Sequence, residues 1–517
     1  MEHQGKLKAG HGKFKLILIS AGLWGLLAHG MALCNKYSFH DDATLFDVGA
    51  TYSSGRWMLG FLDEYVIKLT GSPHYSLPLF NGLSVILFIG LACILLSDLL
   101  EIEDVAMNIG LAGIMMAFPV VTGLFGYNFT APYYFFGTLC GVFGGCLLCR
   151  VSKWYSYIGG ILLMASSVGV YQANLAVCVS LMLVYFIKIT VNKENPEWKS
   201  FLRRLVYYGS ACVSVLVTYL AINSIVIWYK HVELTDYRDI KNFGRTSIWG
   251  YWNRFVQTYK EFFNPTGDVS RNMFPFSLDV FYKIVVWGLI VLTAYLIYRK
   301  FREHFVSGVQ IAFLVLFIPP AMNLVYIMCE PSEVHTLMMY GQIFCFFYFV
   351  WILDYLKRVS AIKWKRFSMR HLSLGGVFLL LLMDLMYCRF SNICYLKAEY
   401  MQNQAINYYT MLITQIKGAE GYTDETPVVY INEFNKTDRT IPDIPQFNQI
   451  NIAPYGDSSL INDYLWKVTM RLWCGFDPVV LDSSGYETLP EVIAMPSYPD
   501  EGSVKVLDGV TVIKFSD

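Results

Sequence analysis

Eleven separate apolar runs, each about as long as a bilayer-crossing helix, constrain this chain more than any other feature. They fall near 14–34, 77–97, 105–124, 133–149, 155–170, 172–190, 205–228, 280–298, 307–328, 336–355 and 372–390. A helix needs about 20 apolar residues to cross the hydrocarbon core, where no water satisfies an exposed backbone. The uncharged stretch from Tyr155 to Ile187 is too long for one crossing and is split at GVYQAN, where Gln172 and Asn174 interrupt the hydrophobicity. Composition agrees, since the 517 residues are 55% hydrophobic and 15% charged, against about 25% charged in soluble proteins. The expected fold class is mainly α, a polytopic membrane protein.

Lys and Arg in short connections stay on the cytoplasmic side. They gather before the first run (Lys6, Lys8, Lys13, Lys15), after the fourth (Arg150, Lys153), after the sixth (Lys188, Lys193, Lys199, Arg203, Arg204), after the eighth (Arg299, Lys300, Arg302) and after the tenth (Lys357, Arg358, Lys363, Lys365, Arg366, Arg370). All of these share one parity. The expectation is an inner N-terminus and an outer C-terminus. SDLLEIED is acidic where bases are expected, but acids carry little topological weight.

Three long segments then lie outside. Residues 35–76 contain WMLGFLDEYVIKL, whose polar and apolar faces suit a helix in the membrane interface. Residues 229–279 are rich in Tyr, Trp, Phe and Arg. The tail opens with a helix continuing the last span, then alternates strand-like VVYINEF, helix-like SSLINDYLWKVTMRLW and strand-like VKVLDGVTVIKF. The domains expected are a transmembrane module over 1–390 and a small external α/β domain over 391–517.

Charge excludes one function class. Forty Lys and Arg balance forty Asp and Glu, which gives no electrostatic footprint for nucleic acid. The 12 cysteines are scattered through apolar runs without metal-binding spacing and read as small core hydrophobes. No inverted repeat points to a transporter.

Chemistry concentrates in NKYSFHDDATLFDVGATYSSGRW, directly after the first run. Each residue there has a structural reading: Asp41 or Asp42 as a helix cap, Arg56 snorkelling, Trp57 in the aromatic belt. Together they suggest catalysis. A carboxylate can deprotonate a hydroxyl or hold a divalent cation, Mg or Mn, and an arginine offers a fork to phosphate.

An early acid pair followed by a GRW turn, GVYQA, LFGYNFTAPYY and EPSEVHTLMMYG, in this order, resemble the bacterial glucosyltransferase II family of O-antigen and cell-surface glycan modification. The resemblance runs from about the first span to the tenth. It implies a GT-C-like glycosyltransferase that takes a sugar, glucose by the family's default, from a polyprenyl-phosphate donor on the outer face and inverts the anomeric centre. The partners implied are that donor, a cell-surface or lipid-linked glycan acceptor and membrane lipids.

Asp41 or Asp42 is then expected to be the base, with Asp41 preferred, and Arg56 to hold the departing phosphate. His40 either tunes the acids or binds phosphate. Arg245, Arg254, Arg271 and His335 are further phosphate candidates. Trp57, Tyr127, Asn128, Tyr171, Gln172, Glu330 and Glu333 are candidates for substrate binding. The alternatives are a lipid-linked glycan flippase, which would need polar residues through the middle of several spans, and a non-catalytic assembly protein, in which the acid pair is dispensable.

Overall fold

The computed structural model describes residues 2–37, 42, 51–71, 76–150, 153–235, 246–265, 273–359, 363–364, 367–432, 444–456 and 466–516. It divides into two compact units, Met1–Lys36 with Phe46–Asn392, and Tyr37–Leu45 with Ile393–Asp517.

The first unit is helical: α1 (Glu2–Cys34), α2 (Trp57–Thr70), α3 (Pro78–Leu100), α4 (Val105–Ala117), α5 (Pro119–Phe125), α6 (Ala131–Cys149), α7 (Trp154–Val170), α8 (Asn174–Val191), α9 (Trp198–Lys230), α10 (Ile248–Phe263), α11 (Leu278–Glu303), α12 (Phe305–Val315), α13 (Ile343–Val359) and the first half of α14 (Met369–Gly418). Among the described residues, nine helices are long and apolar enough to span a membrane, or ten if the bent pair α4 and α5 is one span. The protein is therefore a polytopic helical membrane protein.

The count departs from eleven for two physical reasons. Pro119 has no N–H to continue the ladder, and the run at 105–124 bends there by 41°. The helix α7 has only 17 residues, about 26 Å at 1.5 Å per residue, short of a hydrocarbon core about 30 Å thick. It nevertheless lies antiparallel along α6, because glycines let the backbones approach. A Cβ added at Gly137 would meet Val170, one at Gly141 would meet Ser167, and one at Gly144 would meet the Gly160 carbonyl. The division at GVYQAN is where α7 stops and α8 begins, and Asn174 ties the break by bonding Thr138 and the Ser167 carbonyl, both at 3.2 Å.

The most apolar 18-residue stretch of the span Thr336–Val359 is wholly buried, while Lys357, Arg358 and Val359 at its end are exposed. It can be so because it is apolar on every side, with Phe344, Phe346, Phe347, Tyr348 and Trp351 all almost fully enclosed. Buried acids interrupt the apolar interior, and Asp354 of this span is paired with Arg358 at 3.1 Å. Asp384 of α14 is fully buried, and neither carboxylate oxygen has a hydrogen-bond partner among the described residues. It faces Gly113 of α4, where an added Cβ would run into its carboxyl.

One end of the bundle is a belt of ion pairs built on SDLLEIED. Asp98 meets Arg150 at 2.7 Å, Glu101 meets Lys188 at 2.9 Å, and Asp104 meets Lys357 at 2.6 Å. Lys188 also donates to the Leu99 carbonyl at 2.7 Å and Lys13 to that of Ser97 at 3.4 Å. The acidic connection that looked anomalous thus collects bases from four other places in the chain.

The second unit is a small α/β domain. Its sheet has the order β1-β3-β2, with β1 (Val428–Ile431) parallel and β2 (Val504–Leu507) antiparallel to β3 (Val510–Lys514). What read as one strand is a hairpin, because Asp508 and Gly509 both take positive φ, 49° and 78°, as a tight two-residue turn requires. Val429, Ile431, Val492, Met495, Val510 and Val512 form its core. The second half of α14 belongs here, as does α15 (Trp466–Cys474), the described part of the expected helix.

Candidate active site

The polar residues at the other end of the bundle are arranged by a tight turn before α2. Its backbone closes through Gly55 N–H to the Tyr52 carbonyl at 3.0 Å and Arg56 N–H to the Thr51 carbonyl at 2.8 Å. Gly55 has φ +73°, a conformation that glycine adopts without strain. A Cβ there would also come within 2.8 Å of the Tyr219 hydroxyl. Gln172 donates to the Ser54 carbonyl at 2.8 Å, and Tyr219 to that of Gly55 at 3.0 Å. Thr235 N–H adds a third tie, to the Ser53 carbonyl at 2.9 Å.

This turn presents Arg56. Its guanidinium donates to the Tyr134 hydroxyl at 3.1 Å and lies 5.3 Å from the centroid of the Tyr171 ring. Those two rings are stacked at 4.7 Å. Trp57 is buried against Gly169 of α7, so the start of α2 is packed while Arg56 stays half-exposed. Further along α2, Glu64 accepts from Tyr52 at 2.7 Å and pairs with Lys230 at 2.5 Å. Burial pushes the Glu64 carboxyl up, but its bonds to Lys230 and Tyr52 outweigh this and hold it below the usual carboxylate range. Burial raises the Tyr52 phenol, and its bond to Glu64 acts in the same direction, so it remains a donor.

Arg56, Tyr171, Gln172, Tyr219 and Asn223 line a cavity of about 320 Å³ whose other walls are mostly aliphatic, among them Leu175, Leu216, Leu220, Val325 and Met328. The sequence reading named the first three. It missed Tyr134, Tyr219 and Asn223. The available signal was the pair Tyr219 and Asn223 on α9, four residues apart and hence on one face of an uncharged span.

The other expected residues lie elsewhere or are tied up structurally. Arg254 of α10 is buried and pairs with the half-exposed Glu330 at 3.1 Å, next to Cys329 in the cavity wall. Asn128 is buried, accepting from Asn81 at 3.0 and 3.1 Å and from Ser76 at 3.3 Å, while Tyr127 lies in the same turn. Glu333 and His335 are half-buried on the segment leading into the Thr336–Val359 span, and neither lines the cavity. Asp42 is fully buried. His40, Asp41, Arg245 and Arg271 lie outside the described residues. Among the described residues no group of three or more His, Cys, Asp or Glu side chains is placed to hold a metal ion.

The described residues thus form a multispanning helical membrane protein with a mostly apolar cavity into whose lining Arg56, Tyr171, Gln172, Tyr219 and Asn223 bring polar groups. Residues 30–346 match the family model described as glucosyl transferase GtrII. That match covers more than half of the chain, which therefore belongs to this glucosyl transferase family and is a membrane glycosyltransferase, working between a sugar donor and a glycan acceptor. No curated protein and no solved structure matches the chain.

Proposed function

We propose that the protein transfers a sugar, glucose in keeping with its family, from a polyprenyl-phosphate donor to a cell-surface or lipid-linked glycan, with inversion, on the outer face of a bacterial cytoplasmic membrane. The observation that carries this reading is the cavity, whose lining combines mostly aliphatic walls with Arg56. A polyprenyl phosphate pairs an apolar tail with an anionic head. Arg56 supplies a planar fork for the phosphate oxygens as charge develops on them. The stacked Tyr134 and Tyr171 hold that fork in place and offer a face on which a sugar ring can pack.

The base is assigned on sequence grounds to the Asp41–Asp42 pair, with Asp41 preferred, taking the proton of the acceptor hydroxyl. Orientation is supported by the ion-pair belt, which gathers Lys13, Arg150, Lys188 and Lys357 at one end of the bundle. By the positive-inside bias this end is cytoplasmic, so the cavity faces out. The test is radiolabel transfer by purified protein from a panel of polyprenyl-phosphate sugars. Transfer from at least one of them, abolished in Arg56→Gln, is expected. Equal transfer by that variant would refute the phosphate role.

A further inference from the structure

We propose that Asn223 reads a hydroxyl of the sugar being transferred, an inference that rests on the donor-binding function proposed above. Asn223 lies on α9, one turn beyond Tyr219, with 8% of its surface exposed. It lines the Arg56 cavity, and its Oδ1 has no hydrogen-bond partner among the described residues. That oxygen lies 3.7 Å from where a Cβ on Gly55 would sit, next to the backbone that presents Arg56.

The contrast with the other buried asparagines gives this its weight. Asn81 makes two bonds to Asn128, Asn108 bonds the Ile102 and Asp104 carbonyls, and Asn174 bonds Thr138 and Ser167. Each of these closes a turn or a helix junction. Asn223 closes no turn or junction among the described residues. Its neighbours Gln172 and Tyr219 already give hydrogens to the Ser54 and Gly55 carbonyls. A buried acceptor left without a donor destabilises a fold, so an amide kept there without a structural task points to a ligand that supplies the hydrogen.

A sugar hydroxyl has the right chemistry. It donates to Oδ1 and also accepts, so it matches either end of the amide. An uncharged amide beside Arg56 adds selectivity for the sugar without competing for the phosphate. A site built to bond a hydroxyl strongly rejects the analogue that lacks it, because its own polar group is then left buried and unmatched.

The experiment uses the purified full chain with polyprenyl-phosphate glucose and its four monodeoxy analogues, measuring kcat/KM for each. Wild type is expected to disfavour one deoxy donor by about 10- to 100-fold. In Asn223→Ala, and in the closer-sized Asn223→Leu should the smaller variant fold poorly, that preference should vanish. The parent donor should drop to the level of the deoxy donor, which itself changes little. An unchanged preference in both variants, or no preference in wild type, overturns the proposal. The underlying reading fails differently, through Arg56→Gln transferring all five donors at the wild-type rate.

Discussion

Tyr219, on the ninth helix, donates its hydroxyl hydrogen to the carbonyl of Gly55, 164 residues earlier in the chain, at 3.0 Å. The bond clamps the residue immediately before Arg56, so the aim of the guanidinium depends on a helix remote from it in sequence. Tyr219→Phe removes one neutral hydrogen bond, worth about 1 kcal/mol, and should lower turnover by about fivefold. Gly55→Ala should do more harm, because it combines a strained φ with a clash against Tyr219 and Gln172. Turnover per folded molecule, measured for both, checks the order; equal effects would mean that the clamp is not what positions Arg56.

Arg56 itself separates phosphate binding from membrane anchoring. Arg56→Lys keeps the charge and loses the fork, so partial loss is expected, whereas Arg56→Gln should cost about 100-fold or more. An anchoring role gives another pattern, with Lys equal to wild type and Gln lowering the melting temperature before the rate.

Replacing Asp41 or Asp42 by Asn keeps size and removes proton affinity. Loss of the base should reduce turnover by about 100-fold in one of the two variants. Near-normal transfer in both would remove the pair from the mechanism and favour a non-catalytic role for this segment.

The Gly113 and Asp384 contact makes a stability prediction. Gly113→Ala drives a methyl into a carboxyl that has no room to move and should destabilise by about 1–3 kcal/mol. Asp384→Ala empties that space, so the double variant should melt above Gly113→Ala alone. Additive losses would show that the two residues do not share the space.

Acid should loosen the belt of ion pairs. Burial pushes the Asp104 carboxyl up, but bonds from Lys357 and the Met107 N–H prevail and lower it. A carboxyl depressed in the folded state stabilises above its unfolded value, near about pH 4, and that stability is lost as pH falls through the folded value. The melting temperature should therefore fall below about pH 4. Asp104→Asn should melt lower at neutral pH and show a shallower acid decline.

Orientation can be read by thiol labelling of intact cells, after exposed Cys34 has been replaced by Ser. A cysteine at the exposed Gly485 should react from outside, and one at the exposed Asn195 should not. Labelling at Asn195 would invert the proposed topology.

The helical architecture was legible because hydrophobicity over about 20 residues is a long signal that tolerates local error. The break at Pro119 was not, since the run at 105–124 keeps its apolar composition through the bend. The hairpin in the tail was written in its Asp508–Gly509 pair and was passed over inside a continuous apolar pattern. At the site, Arg56, Tyr171 and Gln172 stood out as polar residues at the ends of spans. Tyr219 and Asn223 were hidden because two polar side chains within 33 residues of helix barely change its mean hydropathy, and only the fold shows that they face Gly55.

The ion-pair belt also carries a timetable. A ribosome makes Asp98, Glu101 and Asp104 long before their partners: Arg150 follows Asp98 by 52 residues, and Lys357 follows Asp104 by 253. Asp98 and Glu101 meet their partners by residue 188, and Asp104 alone of the three waits for the tenth span to bring Lys357. On the orientation proposed above, the same lysines and arginines work twice, first as unpaired signals to the insertion machinery and then as the counter-charges that close the finished bundle.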